Sequence, residues 1–298
     1  MTDLDRTTQE HLVDTPDGAI RVRILGSGPT ILCLHGVSAH GRSWMRVARR
    51  LAAQATFWIP DLLGRGESTP RPDLPYRMDD ESRRVHELVE ALRGSATGGD
   101  PGFPTVIAGH SQGAAIAIAV AREQPAVRGL LLSNPVTPWT KRPVVLGALE
   151  SGLIRRIAAD IFSPLRGPLA NAILRRAAGP RFRVPADTVA AYARPYEDRR
   201  RAETLMALLR DWRPTEMGDL RVEGRIIRVV AGAFDPRITE KSAERLADEL
   251  GAEFTVVPDG GHVLPEQYPD LLAGELERIL EDSGLNVMGG DRGRSRPE

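Results

Sequence analysis

The chain has 298 residues, 41% of them hydrophobic, enough for one large domain or two small ones with a sizeable core. Its 40 basic and 40 acidic residues cancel, so no global charge points to nucleic acid or an anionic membrane as a partner. The single cysteine excludes an intramolecular disulfide and a Cys-cluster metal site. Cys33 lies inside the apolar run Ile31-Leu-Cys-Leu34 and reads as an inert core residue. The start of the chain lacks the basic and apolar regions of a signal peptide. No apolar run reaches the roughly 18 residues of a membrane span, so a cytoplasmic protein is expected. Lys141 and Lys241 are the only lysines, an arginine bias that points to a GC-rich bacterial genome.

In chain order, Leu12-Val13 and Ala19 to Leu25 predict a hairpin around Pro16-Asp17-Gly18. Thr30 to Leu34 is a continuous apolar strand that runs straight into His35-Gly36-Val37-Ser38. A helix is expected from about Trp44 to Ala53, then a buried strand from Thr56 to Pro60, closed by Asp61-Leu-Leu-Gly-Arg-Gly-Glu-Ser68. Val85, Leu88, Val89 and Leu92 recur at helical spacing within Met78 to Leu92, and Gly94 to Gly102 reads as a loop. Val106 to Ala108 predicts a buried strand and Ala114 to Ala121 a helix. Val127 to Ser133 is a further strand. From Val136 to Leu220 the pattern gives several short helices interrupted by prolines and no strand. Strands return at Arg225 to Ala231 and Glu253 to Val257, with helices at Lys241 to Leu250 and Asp270 to Glu281. The polar stretch from Gly284 to Glu298 reads as a disordered tail.

Strands alternating with helices imply a mostly parallel sheet covered on both faces, with an antiparallel start. The expected division is a core of residues 1–135 and 221–283, a helical cap of 136–220 inserted after the strand that ends near Ser133, and a tail of 284–298. In such folds the chemistry sits at the carboxyl ends of the strands. Those ends carry His35-Gly36-Val37, Asp61, Ser111, Asn134, Asp235 and His262. Ser111 is the centre of Gly109-His-Ser-Gln-Gly113, where a strand turns at once into a helix. That turn strains the central residue, and the flanking glycines remove side chains that would clash. The hydroxyl is lifted clear beside a helix N-terminus, whose dipole favours an oxyanion. A serine nucleophile needs an imidazole base and a carboxylate to orient it, and His262 and Asp235 follow in the order Ser, Asp, His. Asp259 sits in the turn before His262 and reads as a turn former. Asn134 stands where an acid could act, but its amide carries no negative charge. His110 is expected to point away from the reaction, and His11 and His86 to lie at the surface.

Leu34-His-Gly36, Asp61 to Ser68, Gly109 to Gly113, Gly232-Ala-Phe-Asp235 and Gly261-His262 together resemble, in order, the landmarks of the α/β-hydrolase superfamily. The likeness covers about Ile20 to Leu280. It implies the α/β-hydrolase fold, a Ser111–His262–Asp235 triad, an oxyanion hole from the backbone N–H groups of Val37 and Gln112, and a structural His35. It implies no metal and no cofactor. Serine at position 111 argues against the haloalkane dehalogenases and epoxide hydrolases of the superfamily, which use aspartate there. Gln112 argues against the cofactor-free peroxidase-like members, which carry methionine after the serine.

The expected function is hydrolysis of an ester, thioester or lactone of a small, partly apolar substrate through an acyl-enzyme on Ser111. Two alternatives stay open: cleavage of a C–C bond next to a ketone, and a hydrolase-like ligand sensor with very slow turnover. Substrate choice is expected to lie in the cap, with His40, Trp139, Leu153 and Phe162 as candidate pocket residues. The sequence is silent on oligomeric state.

Overall fold

The computed structural model describes residues 8–94, 102–214 and 220–285. An eight-stranded sheet in the order β1-β2-β4-β3-β5-β6-β7-β8 runs through the molecule. Its strands are β1 (Gln9–Thr15), β2 (Gly18–Gly26), β3 (Thr30–Leu34), β4 (Thr56–Pro60), β5 (Val106–His110), β6 (Gly129–Ser133), β7 (Ile226–Gly232) and β8 (Glu253–Val257). β2 is antiparallel to β1 and β4, and every pairing from β4 to β8 is parallel. This is the mostly parallel sheet with an antiparallel start expected from the strand and helix pattern, in the α/β-hydrolase fold that the resemblance implied.

Alternation along the strands sorts the core into two layers. Leu32, Leu34, Ile107, Leu130, Leu132, Val229 and Ala231 face one side. There they meet α2 (Met78–Gly94), α3 (Gln112–Glu123) and α7 (Glu240–Leu250). Ile31, Cys33, Val106, Ala108, Leu131 and Val230 face the other side and pack on α1 (Met45–Leu51) and α9 (Pro269–Asp282). Cys33 is wholly buried, and that burial pushes its thiol pKa up, as suits an inert core residue. Because both faces are covered, the central strands β3, β5 and β6 are apolar along most of their length.

Between β6 and β7 the described residues are helical or irregular and contain no strand. Here the sequence misleads in one respect. The prolines suggested several short helices, yet α4 (Gly152–Ala177) runs unbroken for 26 residues through Pro164 and Pro168. Both prolines lie on its exposed side. They are four residues apart, so the N–H that Pro168 lacks would have bonded the carbonyl of Pro164. Each bond lost thus leaves its carbonyl on the solvent side, where water can reach it. α5 (Ala186–Ala193) and α6 (Arg199–Asp211) complete this segment, and α8 (Leu264–Gln267) follows β8. Most of the loop expected at 94–102, five residues of the expected cap and the tail from 286 onward lie outside the described residues.

Candidate active site

The site is built at the carboxyl ends of β5, β6, β7 and β8. β5 ends at His110 and α3 starts at Gln112, leaving Ser111 alone to make the turn, with φ 55° and ψ −117°. A side chain on Gly109 would strike the backbone at the start of α3, and one on Gly113 would strike the backbone carbonyls of Leu34 and His35. Those clashes are the reason for glycine on both sides of the serine. The backbone of Ser111 is locked from both directions: its N–H donates to Ser133 O at 3.0 Å, and its carbonyl accepts from Ala114 N and Val136 N at 3.1 Å each. A strained conformation persists only when its surroundings over-determine it in this way.

β7 delivers Asp235 and β8 delivers His262. Asp235 Oδ1 accepts the backbone N–H groups of Arg237 at 2.8 Å and Ile238 at 3.0 Å. Its Oδ2 accepts the Nδ1–H of His262 at 2.6 Å, and the Oγ–H of Ser111 donates to His262 Nε2 at 3.1 Å. An ionised carboxylate can only accept, so Nδ1 carries the proton and Nε2 is left free to receive one. Burial alone would raise the pKa of Asp235. The attraction of His262 and the two backbone N–H groups outweighs it and holds the carboxyl below the usual range. The backbone N–H of His262 donates to Ala177 O at 2.5 Å, which ties this loop to the end of α4.

One contact was not legible in the sequence. Asn134, in a left-handed conformation at φ 43°, donates from Nδ2 to Asp235 Oδ2 at 2.6 Å. Its amide supplies no charge, but it supplies a donor to the same oxygen that His262 bonds. The two residues are 101 positions apart, and only the β6–β7 pairing brings them together.

His110 departs from expectation in part. Its Nδ1 is hydrogen-bonded to Ser133 O at 3.2 Å, facing the neighbouring strand. Its ring centroid nevertheless lies 5.0 Å from that of His262, and the residue borders the cavity. Burial, then the nearby His262, lower its pKa to about 3, so it is neutral. His35 is buried and donates from Nδ1 to Gly36 O at 2.8 Å, while its Nε2 accepts from Leu62 N at 2.9 Å. It joins the loops after β3 and β4. Asp61 accepts from Arg23 Nη1 and from the backbone N–H groups of Gly41 and Glu67, and so organises its turn. The loop at Gly36 and Val37 reaches the elbow: a Cβ on Gly36 would lie 3.2 Å from Ser111 Cβ and 3.6 Å from Ser111 Oγ.

A cavity of about 350 Å³ opens over Ser111 and His262, within the size range of small-molecule sites. Its walls are mostly apolar and come largely from the segment between β6 and β7, with Leu146, Phe162, Leu174, Tyr192 and Met206 among them. Of the four candidate pocket residues, Phe162 borders it and His40, Trp139 and Leu153 do not. Trp139 packs on the sheet core, with the Arg245 guanidinium 3.8 Å from its ring centroid. Leu153 sits on the outer side of α4 and is 68% exposed. His40 is buried behind the wall, 4.7 Å from the Tyr192 ring. Helical spacing marked these side chains as apolar or loop-borne, but it carries no information on which face of a long helix looks inward. Among the described residues no cluster of His, Cys, Asp and Glu could hold a metal ion, and no helix is long and apolar enough to cross a membrane.

This geometry has relatives. Lipase LipV of Mycobacterium tuberculosis is 28% identical over 268 residues, covering 85% of this chain and 94% of the relative. A pimeloyl-[acyl-carrier protein] methyl ester esterase of Stenotrophomonas maltophilia is 25% identical, covering 91% of this chain and 99% of the relative. Among solved structures, a malate-bound thermophilic esterase from Thermogutta terrifontis superposes with a TM-score of 0.73 at 22% identity, over 92% of this chain and 99% of that one. The profile described as the alpha/beta hydrolase family matches residues 31–275, which span the elbow, the carboxylate and the imidazole, and the chain belongs to that family.

Proposed function

We propose that the protein hydrolyses an ester, thioester or lactone of a small, partly apolar substrate through an acyl-enzyme on Ser111. The observation that carries this reading is the unbroken hydrogen-bonded chain from Ser111 Oγ through His262 to Asp235. Ester cleavage is further supported by relatives whose names are lipase and esterase. In the reaction Ser111 Oγ attacks the carbonyl carbon as His262 Nε2 takes its proton. Asp235 holds the imidazole in the required tautomer and stabilises the imidazolium. The oxyanion of the tetrahedral intermediate is received by the N–H groups of Val37 and Gln112, each such donor being worth about 3–4 kcal/mol in comparable enzymes. Collapse expels the alcohol or thiol with the proton held on His262. Water, activated by the same imidazole, then attacks the acyl-enzyme and frees Ser111.

The segment of residues 136–220 acts in this reading as a cap whose inner side accommodates the acyl group, with Phe162 part of that side. A fluorophosphonate probe tests the assignment of the nucleophile. It is expected to label the folded protein at Ser111 and to leave Ser111→Ala unlabelled. Labelling that survives Ser111→Ala, or no labelling of folded wild type, would refute it.

A further inference from the structure

Arg65 stands in the turn after β4 and is 1% exposed. Burying a guanidinium is costly unless its donors find partners and its charge is met. Here all five N–H groups are used. Nε donates to Val37 O at 3.3 Å. Nη1 donates to Leu63 O at 3.3 Å and Glu81 Oε2 at 3.0 Å. Nη2 donates to Glu81 Oε1 at 3.0 Å and Gln112 Oε1 at 2.9 Å. Glu81, on α2, is itself 1% exposed, so a buried bidentate carboxylate neutralises the charge.

Of the three remaining partners, Leu63 lies in the same turn as Arg65, and the other two have one thing in common. Val37 and Gln112 are the two residues whose backbone N–H groups receive the oxyanion in the reaction above. They belong to separate segments, the loop after β3 and the start of α3, and Arg65 bonds both. A buried ion pair is a weak device for stability, since apolar residues of similar volume often do as well. Directional bonds to two separate loops are what such residues cannot supply. Lysine could not replace the fork either, because its three donors radiate from a single atom.

We propose that Arg65 is a positioning residue of the oxyanion hole, its neutralised guanidinium fixing the spacing and aim of the Val37 and Gln112 N–H groups. The proposal rests on the acyl-transfer reading and extends it to a residue that touches neither substrate nor the reacting atoms. Its role is geometric, and no proton passes through it.

Two variants test it. Arg65→Lys keeps the positive charge and loses the fork. Gln112→Met keeps the Arg65–Glu81 pair and the side-chain volume, and removes only the tie to the elbow, so it carries the test if Arg65→Lys does not fold. For each, active sites are titrated with a fluorophosphonate, and kcat per titrated site, KM and Tm are measured. Affinity is also measured for a trifluoromethyl ketone, which forms a tetrahedral oxyanion adduct on serine. The expected result is a fall in kcat per site of about 10- to 10³-fold, up to the loss of one oxyanion donor. KM should stay within about threefold, and inhibitor affinity should fall in step with kcat/KM. Values of kcat per site and inhibitor affinity within about twofold of wild type in the folded variants would overturn the proposal, whatever the change in Tm. If wild type is not labelled at Ser111, the acyl-transfer reading fails and this proposal with it. Labelled wild type with unchanged variants removes the proposal alone.

Discussion

In the proposed reaction Asp235 carries a charge that an amide cannot replace. Asp235→Asn preserves size and the bonds from Arg237 and Ile238 to Oδ1, yet it favours the wrong imidazole tautomer. Steady-state assays should show kcat lower by as much as ~10⁴-fold with the fold intact, the effect of the analogous change in a serine protease. Activity within about tenfold of wild type would show that another group orients His262. Asn134→Ala leaves the carboxylate charged and removes one donor from Oδ2, so its kcat should lie between wild type and Asp235→Asn. A larger loss than Asp235→Asn would contradict the ranking. At this scale the sequence was informative wherever chemistry depends on local spacing. The elbow could be read from five residues because strand, strained turn and helix follow one another without a gap. Asn134 and Arg65 could not be assigned their contacts, because each depends on which strands and loops the fold sets side by side.

Among elements, the sheet and its covering helices were legible because burial on both faces writes continuous apolar runs and one-sided helical spacing. The segment between β6 and β7 was less so. Its helical nature was evident, but the prolines were read as breaks, and α4 absorbs both on its exposed side. The inward face of that helix decides which substitutions matter. Phe162→Ala enlarges the cavity wall and should shift the kcat/KM preference across esters of increasing acyl length, by about 1–3 kcal/mol per methylene step affected. Trp139→Ala and Leu153→Ala lie off the wall and should scale all acyl lengths alike. A chain-length shift in Leu153→Ala as large as in Phe162→Ala would contradict this placement of specificity.

The whole molecule carries an acid-labile signature. Burial, as the largest cause, lowers the pKa of His35 and His110 to about 3 and of His40 to about 4, against 6.5 unperturbed. Their folded-state stabilisation is complete above pH 6.5 and is lost as pH falls toward those values. Glu266 works in the opposite sense. Burial raises it from 4.5 to about 7, so its contribution is full at low pH and disappears as pH rises through 7. Between pH 6.5 and 4.5 the unfolded chain therefore binds up to three more protons at the histidines and one fewer at Glu266. The net of up to two should cost roughly 3 kcal/mol per pH unit at the steepest point. Asp61 and Asp235, both held below the usual carboxylate range, add to the loss at still lower pH. Urea unfolding midpoints should thus be lower at pH 5 than at pH 7. An equal or higher midpoint at pH 5 would contradict the neutral burial of the three histidines.

The covalent catalysis proposed at Ser111 can be observed directly. The protein is mixed with excess p-nitrophenyl acyl ester, quenched in acid within milliseconds and measured by intact and peptide mass spectrometry. The expected result is a protein population heavier by one acyl group, with that group on Ser111 and absent from Ser111→Ala. Turnover of the ester with no acylated Ser111 at any time, under conditions where a burst of nitrophenol is seen, would contradict the account.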